Sequence, residues 1–275
     1  MLIKLREFRQ KNKIPVKNFM KFLDSEYENT YFRKEQGKIK FSLKEDYDTI
    51  KNILIIKSKS IDLAKHSREV HQIANIILSN ANFKEIPLDA FSKKVLNIFD
   101  TESLAFIYEY HDIGKAFIDT NILDFNGRLS DKDFEIIKNH VSAGVNIITS
   151  MYNGKQITSV AEKYIYLTAI NIIKTHHENL DGSGYPNGIK GDKISFLGKV
   201  AKVADVISAL MGTRVYKQPW TPAKTLQYLY SNIGIEFDPY VIEIVDKNWS
   251  KILKVFIDND VELLFNQVLH NQKAM

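Results

Sequence analysis

The chain has 275 residues, with 38 Lys and Arg against 33 Asp and Glu for a net charge of +5, and 44% of its residues are hydrophobic. That is enough for one large domain, or one domain plus a small extension, around a sizeable core. It has no cysteine, which excludes disulfides and thiolate metal sites and leaves histidine and the carboxylates as the strong ligand candidates. No apolar run reaches bilayer length and the charged start lacks the core of a signal peptide, so the reading is a cytoplasmic protein without a membrane span.

The positive balance fits an anionic ligand such as a nucleotide. No dense basic run interleaved with aromatics marks a nucleic-acid surface, and none is expected. Residues 1–55 hold no chemistry motif, and the alternation Lys38-Ile39-Lys40-Phe41-Ser42-Leu43 after Gly37 predicts a short strand or hairpin. This part reads as a small cap or extension of unassigned role, ahead of a main domain over 56–275.

From about Asp48 the spacing turns helical, with Ile53, Leu54, Ile61, Ala64, Val70, Ile73, Ala74 and Ile77 on one face. Asp62 and His66 lie four apart there, so an acid and an imidazole share one side of the helix. They read either as a ligand pair or as an exposed pair. His71 falls off that face and reads as a surface residue. Residues 91–110 predict one apolar helix, ending at His111-Asp112-Ile113-Gly114-Lys115. An aspartate can bridge two ions while the adjacent histidine fixes one, and a lysine one turn later can neutralise a phosphate.

Ala116 to Asp131 is polar and turn-rich, a loop able to act as a lid. Ser130-Asp131-Lys132-Asp133 supplies capping chemistry for a helix whose apolar face takes Phe134, Ile136, Ile137, Val141, Val145 and Ile148. His140 sits within it, and a lone histidine on an apolar helix carries little weight. A further helix, with Tyr164, Leu167, Ile170 and Ile173, delivers His176-His177-Glu178-Asn179-Leu180-Asp181-Gly182-Ser183-Gly184-Tyr185-Pro186. Side chains of adjacent helical residues point about 100° apart, so two neighbouring imidazoles serve one site best at a helix end. The glycines and proline then stop the helix and shape a loop.

The next helix, Ile194 to Ile207, carries one acid inside an apolar stretch, Asp205. Burying it is costly unless a cation meets it. That cation is a metal, or Lys202 pairs with a partly exposed carboxylate. Residues 222–235 and 240–268 predict two closing helices.

The order His … His-Asp … His … His-His … Asp, with the run from His176 to Gly191, resembles the HD-GYP domain, a branch of the HD superfamily of metal-dependent phosphohydrolases that acts on cyclic di-GMP. The likeness extends from about Asp62 to Phe237. It implies a mainly α fold, an HD-type helical bundle with a small N-terminal extension. It implies one metal held by His66, His111, Asp112 and Asp205 and a second by Asp112, His140, His176 and His177. A third ion would need Asp62, where the family more often has glutamate. Iron or manganese is the expected metal. Asp112 and Lys115 would be catalytic, and Lys115, Arg214, Lys217 and Tyr185 would contact substrate. The implied reaction is hydrolysis of cyclic di-GMP to pGpG, and on to GMP, by a hydroxide shared between metals about 3.5–4 Å apart. The Gly184-Tyr185-Pro186 turn is also linked in the family to partners such as diguanylate cyclases. Ser208 and Val141 depart from the family pattern without removing a ligand. The alternatives are a hydrolase of another nucleotide or cyclic dinucleotide, and a dinucleotide-binding adaptor, which would be expected to have lost ligands.

Overall fold

A computed structural model of the chain describes residues 31–35, 38–42, 61–123, 125, 127, 129–153, 160–213 and 218–259. The expected hairpin is present: β1 (Tyr31–Glu35) pairs antiparallel with β2 (Lys38–Ser42), from Tyr31 opposite Ser42 to Glu35 opposite Lys38. The rest of 1–60 lies outside the described residues. Beyond the hairpin the regular elements among the described residues are helical, and the longer ones are α1 (Ile61–Ser79), α2 (Ala90–Ile98), α3 (Thr101–Phe106), α4 (Asp131–Asn153), α5 (Val160–Thr175), α6 (Phe196–Met211), α7 (Pro222–Ser231) and α8 (Pro239–Lys247). Short 3-10 turns at Ile107–Tyr110 and Ile113–Phe117 flank His111 and Asp112. No helix among the described residues is long and apolar enough to cross a membrane.

The bundle forms because α1, α5 and α6 each carry a continuous apolar stripe. Val70, Ile73, Ala74 and Ile77 of α1 meet Val200, Val203, Ala204 and Ile207 of α6, and Ile172 and Ile173 of α5 join the same fully buried cluster. Each of the Val and Ile side chains contributes about 1.5–3 kcal/mol of burial before chain entropy is counted. Tyr108, wholly buried, donates its hydroxyl to the carbonyl of Leu197 at 3.0 Å, so even this polar tip is satisfied. Asp89 starts two helices at once: Oδ1 accepts from Ser92 N–H of α2 at 2.9 Å and Oδ2 from Phe196 N–H of α6 at 2.8 Å.

Several expectations need correction. The single helix over 91–110 is broken at Phe99, whose backbone is extended, because Asp100 caps a new helix through Ser103 N–H. The last closing helix is interrupted at Asn248, whose side chain turns back onto the Ile244 carbonyl at 2.9 Å, and helix resumes over 249–259. The connection after Ala116 holds helical structure, in the turn through Phe117 and at Thr120–Leu123. His71 is not a surface residue: its Nδ1 lies 2.6 Å from Oε1 of buried Glu109, and its ring packs 4.3 Å from that of Phe106.

Candidate metal centre

Five histidines and two aspartates converge where α1, α4, α6, the end of α5 and the 107–117 turns meet. His66, His111, Asp112, His140, His176 and Asp205 are all buried, and His177 is partly so. Two groups have ligand atoms close enough to share an ion: His66, His111 and Asp112, and Asp112, His140, His176 and His177. Asp112 belongs to both. Asp205 stands beside the first, with Oδ1 3.1 Å from His66 Nε2 and 3.8 Å from His111 Nε2, and its Oδ2 is 3.8 Å from His177 Nδ1. Lys202 pairs with Glu236 at 3.6 Å, which leaves Asp205 to the histidines.

Backbone carbonyls set the imidazoles. Nδ1 of His111 meets Tyr108 O at 2.9 Å, Nδ1 of His140 meets Ile137 O at 2.7 Å, and Nδ1 of His176 meets Ile173 O at 2.9 Å. A carbonyl only accepts, so each Nδ1 carries the proton and each Nε2 presents a lone pair inward. His66 reaches the same state through side chains. Ser208 donates its one hydroxyl proton to Glu69 Oε2 at 2.7 Å, so the 2.7 Å contact between His66 Nδ1 and Ser208 Oγ has His66 as donor.

The inward atoms then oppose one another. His111 Nε2 lies 3.3 Å from His66 Nε2, His140 Nε2 lies 3.2 Å from His176 Nε2, and buried Asp112 Oδ1 accepts no hydrogen bond among the described residues. Lone pairs and carboxylate oxygens at such distances repel unless positive charge lies among them. A nitrogen and oxygen donor set without thiolate, preoriented by outer hydrogen bonds, fits divalent cations.

The local charges agree. Burial alone would raise the Asp112 carboxyl, but Lys115 and His111 outweigh it and hold the group well below the usual carboxylate range. Burial likewise opposes ionisation of Asp205, and the neighbouring His66, His177 and His111 overcome it electrostatically, holding that carboxyl low too. Burial pushes His111 down, yet Asp112 and Asp205 win and its imidazole is raised. Burial lowers His140, takes His176 well below its ordinary value, and brings His177 to about 3.

The loop after His177 is fastened from both ends. Glu178, buried, accepts from Asn187 N–H at 2.8 Å, and Asp181 N–H reaches Ile235 O at 2.9 Å. Gly184 has no room for a side chain: a Cβ would come 2.3 Å from Asn179 N and 2.5 Å from His177 O. Tyr185 is thereby laid on His177, ring centroids 4.5 Å apart and planes 23° apart. Burial pushes its phenol upward, so it stays protonated.

Lys115 forms an ion pair with Asp112 Oδ2, with its side chain 20% exposed. Asp62 stands one turn before His66 on α1, with its side chain outside the described residues; Arg214 and Lys217 lie outside them altogether, as do Asp124, Asn126 and Arg128 of the proposed lid. Sequence reasoning missed Glu69, Ser208 and Glu178 as supports of the site.

The HD-domain family model matches residues 100–241. Among curated proteins, the chain is 34% identical over 145 residues to the 3'3'-cGAMP-specific phosphodiesterase 2 of Vibrio cholerae, covering 53% of this chain and 26% of that protein. It is 34% identical over 133 residues to the cyclic di-GMP phosphodiesterase response regulator RpfG of Xanthomonas campestris, covering 48% and 32%. A cyclic di-GMP phosphodiesterase of Thermotoga maritima is 34% identical over 159 residues, covering 58% and 40%. The chain thus spans well under half the length of these relatives.

Proposed function

The chain belongs to the HD-domain family, and from that premise we propose that it is a metal-dependent phosphodiesterase that hydrolyses cyclic di-GMP to pGpG and on to GMP. One observation carries this reading: the bridging position of Asp112 between two histidine groups, with an oxygen left for a cation. His66, His111, Asp112 and Asp205 would hold one divalent ion and Asp112, His140, His176 and His177 its neighbour. A third would draw on Asp62. Iron or manganese suits mixed imidazole and carboxylate ligands. When bound, such ions polarise phosphoryl oxygens and acidify a water for in-line attack on the phosphodiester.

The protein's own contribution is placement and charge. Nδ1 hydrogen bonds fix four imidazoles in the ligating tautomer, so little reorganisation accompanies binding. Lys115, partly exposed beside Asp112, would offset charge growing on the phosphoryl oxygens, joined by Arg214 and Lys217. Tyr185 would border the substrate. Residues 1–55 would form an extension to a catalytic domain over 56–275, working in the cytoplasm. Docking of diguanylate cyclases would use the exposed edge of the loop at Pro186, Asn187 and Gly188.

Incubating iron- or manganese-loaded protein with cyclic di-GMP and separating products by chromatography tests the reading: pGpG should accumulate, and no linear product with either metal would refute it. A second substrate is favoured by a specific observation, the relative named for 3'3'-cGAMP, so the hybrid dinucleotide belongs in the same assay.

A further inference from the structure

Phe134 departs from its expected place in the core. On α4 it is 44% exposed, although Val141 and Ile148 of the same helix are 2% exposed. Its ring stands 6.1 Å from that of Tyr185 at 78°. Tyr185 in turn lies on His177 of the second ligand group. A row of rings therefore runs from the metal-binding cluster outward to a partly exposed aromatic.

Lys138, one helical turn from Phe134, completes the group. Its Nζ lies 4.9 Å from the Phe134 centroid and 5.4 Å from the Tyr185 centroid. Its carboxylate partner, Glu135 at 2.6 Å, is itself 68% exposed, so that pair is weak and easily exchanged. A ring this exposed loses little by stacking with a flat ligand and buries one face of each partner. An ammonium beside it selects which ligand: guanine presents O6 and N7, both acceptors, whereas adenine places an N6 amino donor there.

We propose that Phe134 and Lys138, continued inward by Tyr185, form a base subsite that takes guanine of a nucleotide whose phosphate lies at the metal cluster. The subsite presupposes the nucleotide substrate proposed above and adds what selects its base. Phe134 stacks on the purine, and Lys138 donates to its O6 and N7.

Calorimetric titration of the metal-loaded protein with GMP and with AMP separates the subsite from the reaction. Wild type should bind GMP more tightly than AMP. Phe134→Leu, which keeps apolar bulk without a π face, should weaken GMP about tenfold, while Phe134→Trp should retain it. Lys138→Met should erase the preference for GMP over AMP. In turnover, Phe134→Leu should raise KM for cyclic di-GMP about tenfold relative to that for bis(p-nitrophenyl) phosphate, which has no purine. Equal GMP affinity in wild type and Phe134→Leu, or a GMP preference surviving in Lys138→Met, would overturn the subsite. Base-selective binding without any cleavage of cyclic di-GMP would uphold it and sink the proposed reaction instead.

Discussion

Gly114 lies directly beneath the backbone of His140: a Cβ on Gly114 would stand 1.8 Å from the His140 carbonyl oxygen and 2.5 Å from Gly144 N. The segment bearing His111 and Asp112 is thus pressed backbone to backbone onto the helix bearing His140, and that approach brings His140 Nε2 to 3.3 Å from Asp112 Oδ1. Gly114→Ala cannot be absorbed by a side-chain rotation. It should cost at least about 3 kcal/mol, at the upper end of overpacking, and separate the two ligand groups. Thermal unfolding and metal content of the purified variant check this, and wild-type values for both would contradict the packing described.

Asp112→Ala removes the one ligand common to both groups. Bound metal should fall from about two ions per chain toward none, and cleavage of cyclic di-GMP should drop to background. Metal analysis by mass spectrometry decides the first and product chromatography the second. Full metal occupancy in the variant would show that Asp112 does not bridge.

Ser208→Ala removes the hydroxyl that accepts from His66 Nδ1 and donates to Glu69 Oε2. The His66 proton is then able to move to Nε2, the atom aimed at the site, and metal affinity should weaken about 10- to 100-fold. Stability should fall by only about 1–3 kcal/mol. Ser208→Thr keeps the hydroxyl and should rescue affinity. Nitrogen-15 spectra of the imidazoles should place the His66 proton on Nδ1 in wild type and shift it in the alanine variant; an unchanged spectrum would remove Ser208 from this role.

Acid should loosen the metal-stripped fold. His177 is held at about 3 in the folded chain against 6.5 when unfolded, so between those values the unfolded state binds a proton the native state refuses. Stability from this group is complete above pH 6.5 and is lost as pH falls through the window, by about 2 kcal/mol at pH 5. His140 and His176, also lowered, act with the same sign, and raised His111 acts against them. Asp112 and Asp205, both lowered, withdraw their stabilisation only as pH drops through the carboxylate range. Melting temperatures at pH 7.5 and 5.0 in chelator measure the loss. His177→Gln should flatten the dependence, and an unaltered slope would remove His177 as a cause.

How far the site could be read before folding varied with how its residues are spaced. His111-Asp112 and His176-His177 were legible because paired ligands at helix ends suit little else. Asp205 was half legible as an acid in an apolar helix. His140 was opaque, since a lone histidine on an apolar face signals nothing until Gly114 sets its backbone on the turn after Asp112. The Ser208 to Glu69 link could not be read at all, because its partners are 139 positions apart and neither is unusual where it stands. Phe134 was misplaced because helical periodicity marks an apolar stripe without saying where its covering ends. His71 was misplaced because the second flank of α1 is covered by the 107–110 turn.

The bond between His66 and Ser208 joins positions 142 residues apart, and Asp205 reaches the same imidazole from the helix of Ser208. An ion gripped by His66 and Asp205 would tie the two ends of that span together in the folded chain, and because the site does not exist in the unfolded one, its binding free energy would add to that of folding. A protein without a single cysteine would in this way gain a removable staple, one set by the supply of metal rather than by oxidation.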